Sequence, residues 1–401
     1  MNAAARRLDD FAAHLAQPGD NDPNSPWAGQ SLASGAAGIA LFHSEYAARG
    51  LARWVPAHRW ISQAAAGDIS ASDTTGLYLG APAVAFVLHT APPKRALLYE
   101  DAAQALHGEV LALAHRRVDT ATVRIKEKRA ASFGEYDTFH GLTGIGAYLL
   151  RTAPESNAME RVLDYLVALT QPVGTDVRVP GWWVDHDPQR GHSLPGGHGN
   201  LGAAHGITGP LLLLAQSLRR GHDVTGQGEA IRTICGHLDA WRQDSGAGPW
   251  WPEHITRGDL AAGRPHHPGP GRPSWCYGTT GIARAGQLAG IALNDTALKA
   301  AYEDALRHCL SDPSQLSTVV DASLCHGWAG IYQTAFRAAQ DAPHLRTLLP
   351  SLGDRLLTTA TPDTEQGPGF LEGDAGCALA LTTLTATTAP ITGWDSCLLI
   401  N

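Results

Sequence analysis

A short glycine turn recurs seven times along this chain, and each copy opens an apolar stretch with helical spacing. The copies read G-A-A-G, G-A-P-A, G-L-T-G, G-I-T-G, G-T-T-G, G-W-A-G and G-D-A-G, and they begin at Gly35, Gly80, Gly141, Gly206, Gly278, Gly327 and Gly373. Successive first glycines are 45, 61, 65, 72, 49 and 46 residues apart. Such a period is typical of a repeated supersecondary unit whose apolar face is buried only against neighbouring copies.

The segments between the turns have the apolar period of helices and little strand alternation. Three stripes show it: Leu163, Leu166, Val167 and Thr170; Ile231, Ile234, Cys235 and Leu238; and Leu298, Ala301, Tyr302, Ala305, Leu306 and Cys309. Each repeat is therefore predicted to be a helical hairpin with an outer and an inner member. Seven hairpins can close into a ring, and glycine lets the inner backbones approach each other and turn sharply.

Two segments, 173–199 and 246–273, do not fit a helix because they are rich in Gly and Pro. They predict β-rich or irregular excursions over one end of the ring. Each holds a tryptophan pair, Trp182–Trp183 and Trp250–Trp251. Such pairs could grip a peptide or cover the edge of the core.

Composition excludes several classes of protein. With 401 residues, 44% of them hydrophobic and 17% charged, the chain can bury a large core. A net charge of -8 argues against nucleic acid as the main partner. A basic cluster between Arg116 and Arg129 could attract an acidic peptide, although a solvated face is favoured. No apolar run is long enough to span a membrane and the start lacks a signal-peptide pattern, so we expect a cytoplasmic protein that is not an integral membrane protein.

Residues able to bind metals or transfer protons stand just before the glycine turns. Turns that all lay at one end of a ring would bring these side chains together at its mouth, which is an active-site geometry. The residues are Asp137, His205, Arg272, Cys276, Tyr277, Cys325 and His326.

Cys276, Cys325 and His326 form a donor set suited to Zn²⁺. Three protein ligands leave a fourth position open for an incoming thiol, which is characteristic of catalytic zinc. Ordinary buried cysteines are the alternative for any one of them alone. That alternative is kept for Cys235 and Cys309, which lie on apolar stripes, while Cys377 and Cys397 have no assigned role.

The motifs together resemble the lanthionine synthetase C-like family, specifically the stand-alone cyclases of class I lanthipeptide biosynthesis. The resemblance rests on the seven turns, W-C-Y-G followed 49 residues later by C-H-G, A-H-G-I-T-G, P-G-W-W and the C-terminal W-D-S-C-L-L. It implies one α,α-toroid domain over residues 1–401, with seven inner and seven outer helices and one zinc per chain. It also implies addition of peptide cysteine thiols to dehydroalanine or dehydrobutyrine, which forms lanthionine and methyllanthionine rings.

That reaction suggests roles for the remaining residues. His205 could protonate the enolate at Cα or take the thiol proton first. Asp137, in a Y-D-x-x-x-G-L-x-G motif, could orient His205 or bind peptide, and Arg272 could stabilise charge on the amide oxygen. Tyr277 could hydrogen-bond near the metal. A polar network that only holds the helix starts together is the equal alternative for Asp137, Arg272 and Tyr277; His140 is assigned no role.

Three other functions stay open. The protein could add an external thiol such as glutathione to dehydroamino acids. It could also be a non-catalytic scaffold that binds zinc and organises a dehydratase and an exporter at the membrane. A protein prenyltransferase β-like subunit fits the W-C-Y-G and C-H-G pair poorly. For the cyclase, the expected partners are a dehydrated precursor peptide, a dehydratase and an export transporter.

Overall fold

The structure, a computed structural model, describes residues 3–18, 27–174, 176–187, 194–246, 248–363 and 365–401, and these ranges are mostly helical. Fourteen longer helices account for most of them. In chain order they are α1 (Ala3–His14), α2 (Ala36–Ala48), α3 (Val55–Ala64), α4 (Ala81–His89), α5 (Glu100–Lys126), α6 (Leu142–Thr152), α7 (Asn157–Leu169), α8 (Thr208–Arg219), α9 (Gln227–Trp241), α10 (Thr279–Ala292), α11 (Thr296–Cys309), α12 (Trp328–Asp341), α13 (Leu349–Thr359) and α14 (Asp374–Ala386).

Shorter helical turns connect these elements. Four are α-helical, at Pro93–Ala96, Phe133–Tyr136, Arg257–Ala262 and Pro313–Leu316, and four are 3₁₀ turns, at Ala28–Gln30, Leu97–Tyr99, Pro343–Leu348 and Trp394–Leu398.

Inner and outer helices alternate as the glycine period predicts. The even-numbered helices follow the glycine turns and are buried along nearly their whole length, whereas the odd-numbered ones bury mainly one face. Helix α14 differs because it is the last of the fourteen helices. The outer helix that packs against it is α1, from the start of the chain. Five predicted hairpins are confirmed by the packing of α2 on α3, α6 on α7, α8 on α9, α10 on α11 and α12 on α13, and α1 is the outer partner of α14.

Six of the seven inner helices begin where the backbone N–H four residues after the first glycine donates to that glycine's carbonyl. The distances are 3.3 Å from Ile145 to Gly141 and 3.2 Å from Ile331 to Gly327. The fourth turn departs from the prediction, because α8 begins at Thr208 rather than beside Gly206. Residue 210 is proline, which has no N–H to donate to Gly206, so this helix starts later.

The first glycines allow a backbone approach that no other residue permits. A Cβ added at Gly141 would lie 2.1 Å from the backbone nitrogen of Asp137, and one at Gly327 would lie 2.3 Å from that of Ser323. Because the obstructing atoms are backbone, the loop itself would have to move. The glycines thus hold the preceding loop against the helix start.

The helices form two compact units. One contains residues 1–113, 319–399 and 401, where α2 packs against α3 and α14, and α12 packs against α13 and α14. The other contains residues 114–318 and 400, where α10 packs against α8 and α11, and α6 packs against α7. The single domain expected over residues 1–401 stays a prediction.

Within the described residues, four short strands in two antiparallel pairs lie in the two excursions or directly beside them. Strands β1 (His198–Asn200), β2 (Gln243–Ser245), β3 (Gly248–Trp250) and β4 (His254–Thr256) pair as β1 with β4 and β2 with β3. His198 is opposite Thr256, and Gln243 is opposite Trp250. The rest is largely irregular, as predicted, apart from the helix Arg257–Ala262. Residues 175, 188–193 and 247 of the predicted excursions lie outside the described residues.

The tryptophan pairs of the excursions belong to the core. Trp182, Trp183, Trp250 and Trp251 are all buried. The Trp251 ring stacks on Tyr302 with centroids 5.4 Å apart, and its Nε1–H donates to the Leu238 carbonyl at 2.8 Å. Of the two readings of these pairs, the structure favours the one in which they cover the core, because buried rings offer little surface to a peptide.

Candidate catalytic and metal-binding site

Three loops that precede glycine turns are hydrogen-bonded side by side within residues 114–318. The Thr138 N–H donates to the Ala204 carbonyl at 3.1 Å, and the Ala203 N–H donates to the Cys276 carbonyl at 2.7 Å. The loops carrying Asp137, His205 and Cys276 are therefore neighbours although 139 residues separate the first from the last. This part of the predicted convergence is present in the structure.

Asp137 and His205 form a tight pair at the centre of these loops. His205 Nδ1 lies 2.5 Å from Asp137 Oδ2, and since a carboxylate only accepts, Nδ1 carries the proton. The carboxyl is fully buried, and its other oxygen, Oδ1, accepts the backbone N–H groups of His140 at 2.6 Å and Gly141 at 2.8 Å. The backbone thus fixes Oδ1 and leaves Oδ2 for the imidazole.

The charge of Asp137 is stabilised where it lies. Burial on its own raises the pKa of this carboxyl, but the hydrogen bonds from His140 and His205 outweigh it and lower the pKa below its ordinary value. An ionised Asp137 holds His205 in the tautomer with Nε2 available, and it stabilises the imidazolium when Nε2 is protonated. The pair is equipped to move a proton at Nε2.

Aromatic rings enclose His205 on several sides. Phe133 stacks on its ring with centroids 5.4 Å apart and planes 20° from parallel, and Phe139 lies at 5.0 Å. The Tyr277 ring is 6.3 Å away, and the His205 side chain is 28% exposed. The imidazole is therefore held in one place with limited access to solvent.

His140, which the sequence analysis assigned no role, joins this group. Its Nδ1 lies 3.5 Å from Asp137 Oδ2, and its ring is nearly parallel to that of His205, with centroids 6.0 Å apart and 12° between the planes. Its side chain is 55% exposed. Two imidazoles thus share one carboxylate oxygen.

A buried arginine supports the Asp137 loop and escaped the sequence analysis. Arg117 of α5 donates from one guanidinium nitrogen to the His140 carbonyl and from the other to the Gly134 carbonyl. Nearby, Arg124 is buried and pairs with Glu135. The basic cluster was interpreted as a solvated face, and this is wrong for these two arginines.

No sequence pattern would have singled out Arg117. Its partners are backbone carbonyls 17 and 23 residues away, and such acceptors leave no trace in residue type. Only the spacing of α5 could have indicated that Arg117 and Arg124, seven residues apart, share a face.

Cys276 and its neighbours lie on the third of these loops. The Cys276 side chain is buried, with Sγ 3.5 Å from Ser274 Oγ. The same hydroxyl accepts the backbone N–H groups of Tyr277 at 3.2 Å and Gly278 at 3.0 Å. Arg272 precedes this turn and is half-buried. Ser274 therefore fixes the loop that presents the thiol.

Cys325 and His326 lie in the unit built from residues 1–113 and 319–399. Cys325 is buried, and its N–H donates to the Leu371 carbonyl at 2.9 Å. His326 Nε2 lies 3.5 Å from Asp321 Oδ2, and the His326 side chain is 21% exposed. These two residues hold the same position before a glycine turn as Ala204 and His205 do.

None of the six cysteines, all of which lie within the described residues, forms a disulfide bond. Burial raises the pKa of both Cys235 and Cys309 to about 12, so these thiols stay protonated at neutral pH. The prediction that they are structural is thus supported. Cys377 Sγ lies 3.0 Å from the Ala322 carbonyl and Cys397 Sγ 3.1 Å from that of Trp394, so both make local backbone contacts.

The fold and the site define an all-α protein of helical hairpins with an aspartate–histidine pair and buried thiols at the starts of its inner helices. The chain belongs to the lanthionine synthetase C-like protein family, whose sequence profile matches residues 26–399. Family membership confirms the resemblance seen in the motifs.

The chain is also similar to two individual proteins. The nisin biosynthesis protein NisC of Lactococcus lactis subsp. lactis is 24% identical over 273 residues, which is 62% of this chain and 60% of the relative. A solved structure of nisin cyclase superposes with a TM-score of 0.81 at 19% identity, over 99% of this chain and 96% of that one. The second likeness confirms the predicted fold class, an all-α toroid of helical hairpins.

Within the described residues, no helix is both long and apolar enough to cross a membrane.

Proposed function

We propose that this protein is a lanthipeptide cyclase that joins cysteine thiols of a dehydrated precursor peptide to dehydroalanine or dehydrobutyrine. The observation that carries the proposal is the Asp137–His205 pair on a loop hydrogen-bonded to that of Cys276. The family of the chain and its likeness to a nisin cyclase point to the same chemistry.

The proposed metal is zinc, held by Cys276, Cys325 and His326. The donor set fits, since two thiols and one imidazole suit Zn²⁺ and a three-ligand site leaves room for a substrate. Both thiols are buried on loops fixed by backbone hydrogen bonds, as ligands should be. When bound, zinc would keep a substrate thiol deprotonated at neutral pH, where a free thiol with a pKa of about 8.5 is mostly protonated.

His205 is the proposed proton carrier. In the reaction, the peptide sulfur forms a bond to the β-carbon of the dehydroamino acid while the C=C π bond breaks, leaving an enolate. His205 Nε2 takes the proton of the thiol, Asp137 stabilises the resulting imidazolium through Nδ1, and Nε2–H then gives that proton to Cα. The thiol proton is thereby transferred overall to Cα, so the peptide keeps its mass.

Arg272 and Tyr277 have supporting roles in this proposal. Arg272, on the Cys276 loop, would stabilise the charge that develops on the amide oxygen of the enolate. Tyr277, whose ring is close to His205, would hydrogen-bond a substrate group beside the imidazole. Both roles are assigned by position in the loop.

Peptide thioether formation can be measured directly. A peptide with one dehydroalanine and one cysteine is incubated with the zinc-loaded protein, then alkylated and weighed by mass spectrometry. We expect an unchanged peptide mass with loss of the alkylatable thiol, and a much slower loss with His205→Ala.

The same assay separates the competing functions. Glutathione added to the reaction would raise the product mass by one glutathione if the protein were an intermolecular thiol transferase. Unchanged alkylation in every condition, at substrate concentrations that saturate binding, would leave a non-catalytic scaffold.

The proposed substrate also fixes what must act first. Dehydroamino acids arise by loss of water from Ser or Thr, so a dehydratase must supply the substrate before this protein acts. We propose a dehydratase and an export transporter as partners and the cytoplasm, or a membrane-attached complex, as the location. Co-purification with a dehydratase and a transporter tests this.

A further inference from the structure

A second group of potential metal ligands lies within residues 114–318. Asp137, His140 and His205 each offer one donor atom, and these atoms lie within 4.8 Å of one another. The donors are two imidazole nitrogens and one carboxylate oxygen, in contrast to the sulfur-rich set proposed above for zinc. Such donors suit Zn²⁺, Co²⁺, Ni²⁺ and Fe²⁺.

The distances between these donor atoms are close to those between the ligand atoms of a bound first-row metal ion. Ligands about 2.0–2.1 Å from zinc in a tetrahedral arrangement are about 3.3 Å apart. The distance from His140 Nδ1 to Asp137 Oδ2 is 3.5 Å, already near this value. The distance from His205 Nδ1 to the same oxygen is 2.5 Å, so this pair would have to open when an ion replaces the proton between them.

The contacts around Asp137 fix its loop, which favours binding of an ion without rearrangement of that loop. Oδ1 of Asp137 is fixed by two backbone N–H groups, which leaves Oδ2 directed at both imidazoles. The Arg117 guanidinium holds the carbonyls on either side of Asp137. His140 is more than half exposed, which gives an ion a path from solvent.

We propose that Asp137, His140 and His205 form a second divalent-metal site, weaker than the proposed zinc site, and that its occupancy inhibits the protein. The ion takes the place of the Nδ1 proton of His205, which is released to solvent. His205 Nδ1 and Asp137 Oδ2 then bind the metal instead of each other. The inhibitory part rests on the proposed role of His205 in cyclisation, whereas the binding part does not.

The binding part is tested without any substrate. Protein loaded with one zinc is titrated with Co²⁺ by equilibrium dialysis, and the absorption spectrum is recorded. We expect the wild type to take up one further ion without a sulfur-to-metal charge-transfer band, because this site holds no thiolate. His140→Ala should weaken that uptake about 100-fold or more, since losing even an outer partner of a metal ligand costs about 10–100-fold.

Matched variants make the result decisive. His140→Gln removes the same ligand with a polar side chain, and His266→Ala removes a 95% exposed imidazole elsewhere. We expect His140→Gln to lose the second ion and His266→Ala to keep it. Absence of a second ion in the wild type, or uptake in both His140 variants equal to that of the wild type, would overturn the site.

Inhibition is measured separately in the cyclisation assay. Excess Zn²⁺ should slow the wild type, and the ratio of rates with and without excess zinc should return towards one in His140→Ala. Equal inhibition of both proteins would overturn the inhibitory role. Absence of cyclisation altogether would refute the proposed function and leave the dialysis result standing.

Discussion

Two histidines occupy the same position in different repeats, yet their surroundings differ. His205 precedes Gly206 and lies 2.5 Å from the fully buried Asp137, which is 68 residues away in sequence. His326 precedes Gly327, follows Cys325 directly, and lies 3.5 Å from Asp321. The repeated turn supplies a common place for an imidazole. In the proposed function, the buried carboxylate beside His205 makes it a proton carrier, and the thiol next to His326 makes it a metal ligand.

The largest effect is expected from removing the proposed metal ligands. Cys276→Ala and Cys325→Ala should each lose the tightly bound zinc and lower cyclisation to the uncatalysed rate, because a three-ligand site does not survive on two. Elemental analysis and the alkylation assay measure both effects. Helicity should be nearly unchanged by circular dichroism; zinc retained in both variants would refute the site.

Removing the proposed proton carrier should lower activity without changing the metal content. His205→Ala and Asp137→Asn should lower the cyclisation rate by about 10²–10⁴-fold, the usual contribution of a positioned acid or base. Zinc content should stay at the wild-type value, unlike in His326→Ala. If His205→Ala and His326→Ala had the same effect on zinc, the two histidines would not differ as described.

Substitution of the buried Arg117 should affect His205 and not His326, since Arg117 supports the loop that carries Asp137. Arg117→Met leaves two carbonyls of the Asp137 loop without their charged donor, so we expect a loss of about 2–3 kcal/mol in the free energy of unfolding, with lower activity and unchanged zinc. Urea unfolding and the cyclisation assay measure this. Arg116→Met, at the exposed neighbouring position, is the control and should change neither.

The last prediction concerns the acid stability of the same region and does not involve the proposed chemistry. His198 is fully buried beside Phe133, and desolvation lowers its pKa to about 4. Below pH 6.5 the unfolded chain binds a proton at this histidine, whereas the folded chain does not. The contribution of His198 to the free energy of unfolding is therefore complete above pH 6.5 and is lost as the pH falls towards 4. The loss should reach about 3 kcal/mol at most.

Unfolding of wild type and His198→Phe at pH 7 and pH 4.5 measures that contribution. The variant should lose less stability on acidification than the wild type. The exposed His266→Gln should behave as the wild type does. An equal acid loss in His198→Phe would show that His198 is not the group responsible.

Local sequence patterns predicted the helices well. They did not predict contacts between residues that are far apart in the sequence. The stripe ending at Cys309 marks α11, because helical period and burial are local properties of residue type. The start of α8 was misplaced since Pro210 removes one backbone donor. Arg117 and His140 were not recognised, because a carbonyl acceptor or a shared carboxylate oxygen becomes visible only when distant loops are placed together.

The close backbone approach at the first glycines has a consequence for protein engineering. At Gly206 an added Cβ would lie 2.4 Å from the backbone nitrogen of Gly202, and the corresponding distance at Gly327 is 2.3 Å from Ser323. A mutant library aimed at new thiol chemistry should keep these glycines constant and diversify the positions just before them. The repeat separates a glycine that the close backbone approach requires from a preceding position whose side chain differs from one repeat to the next.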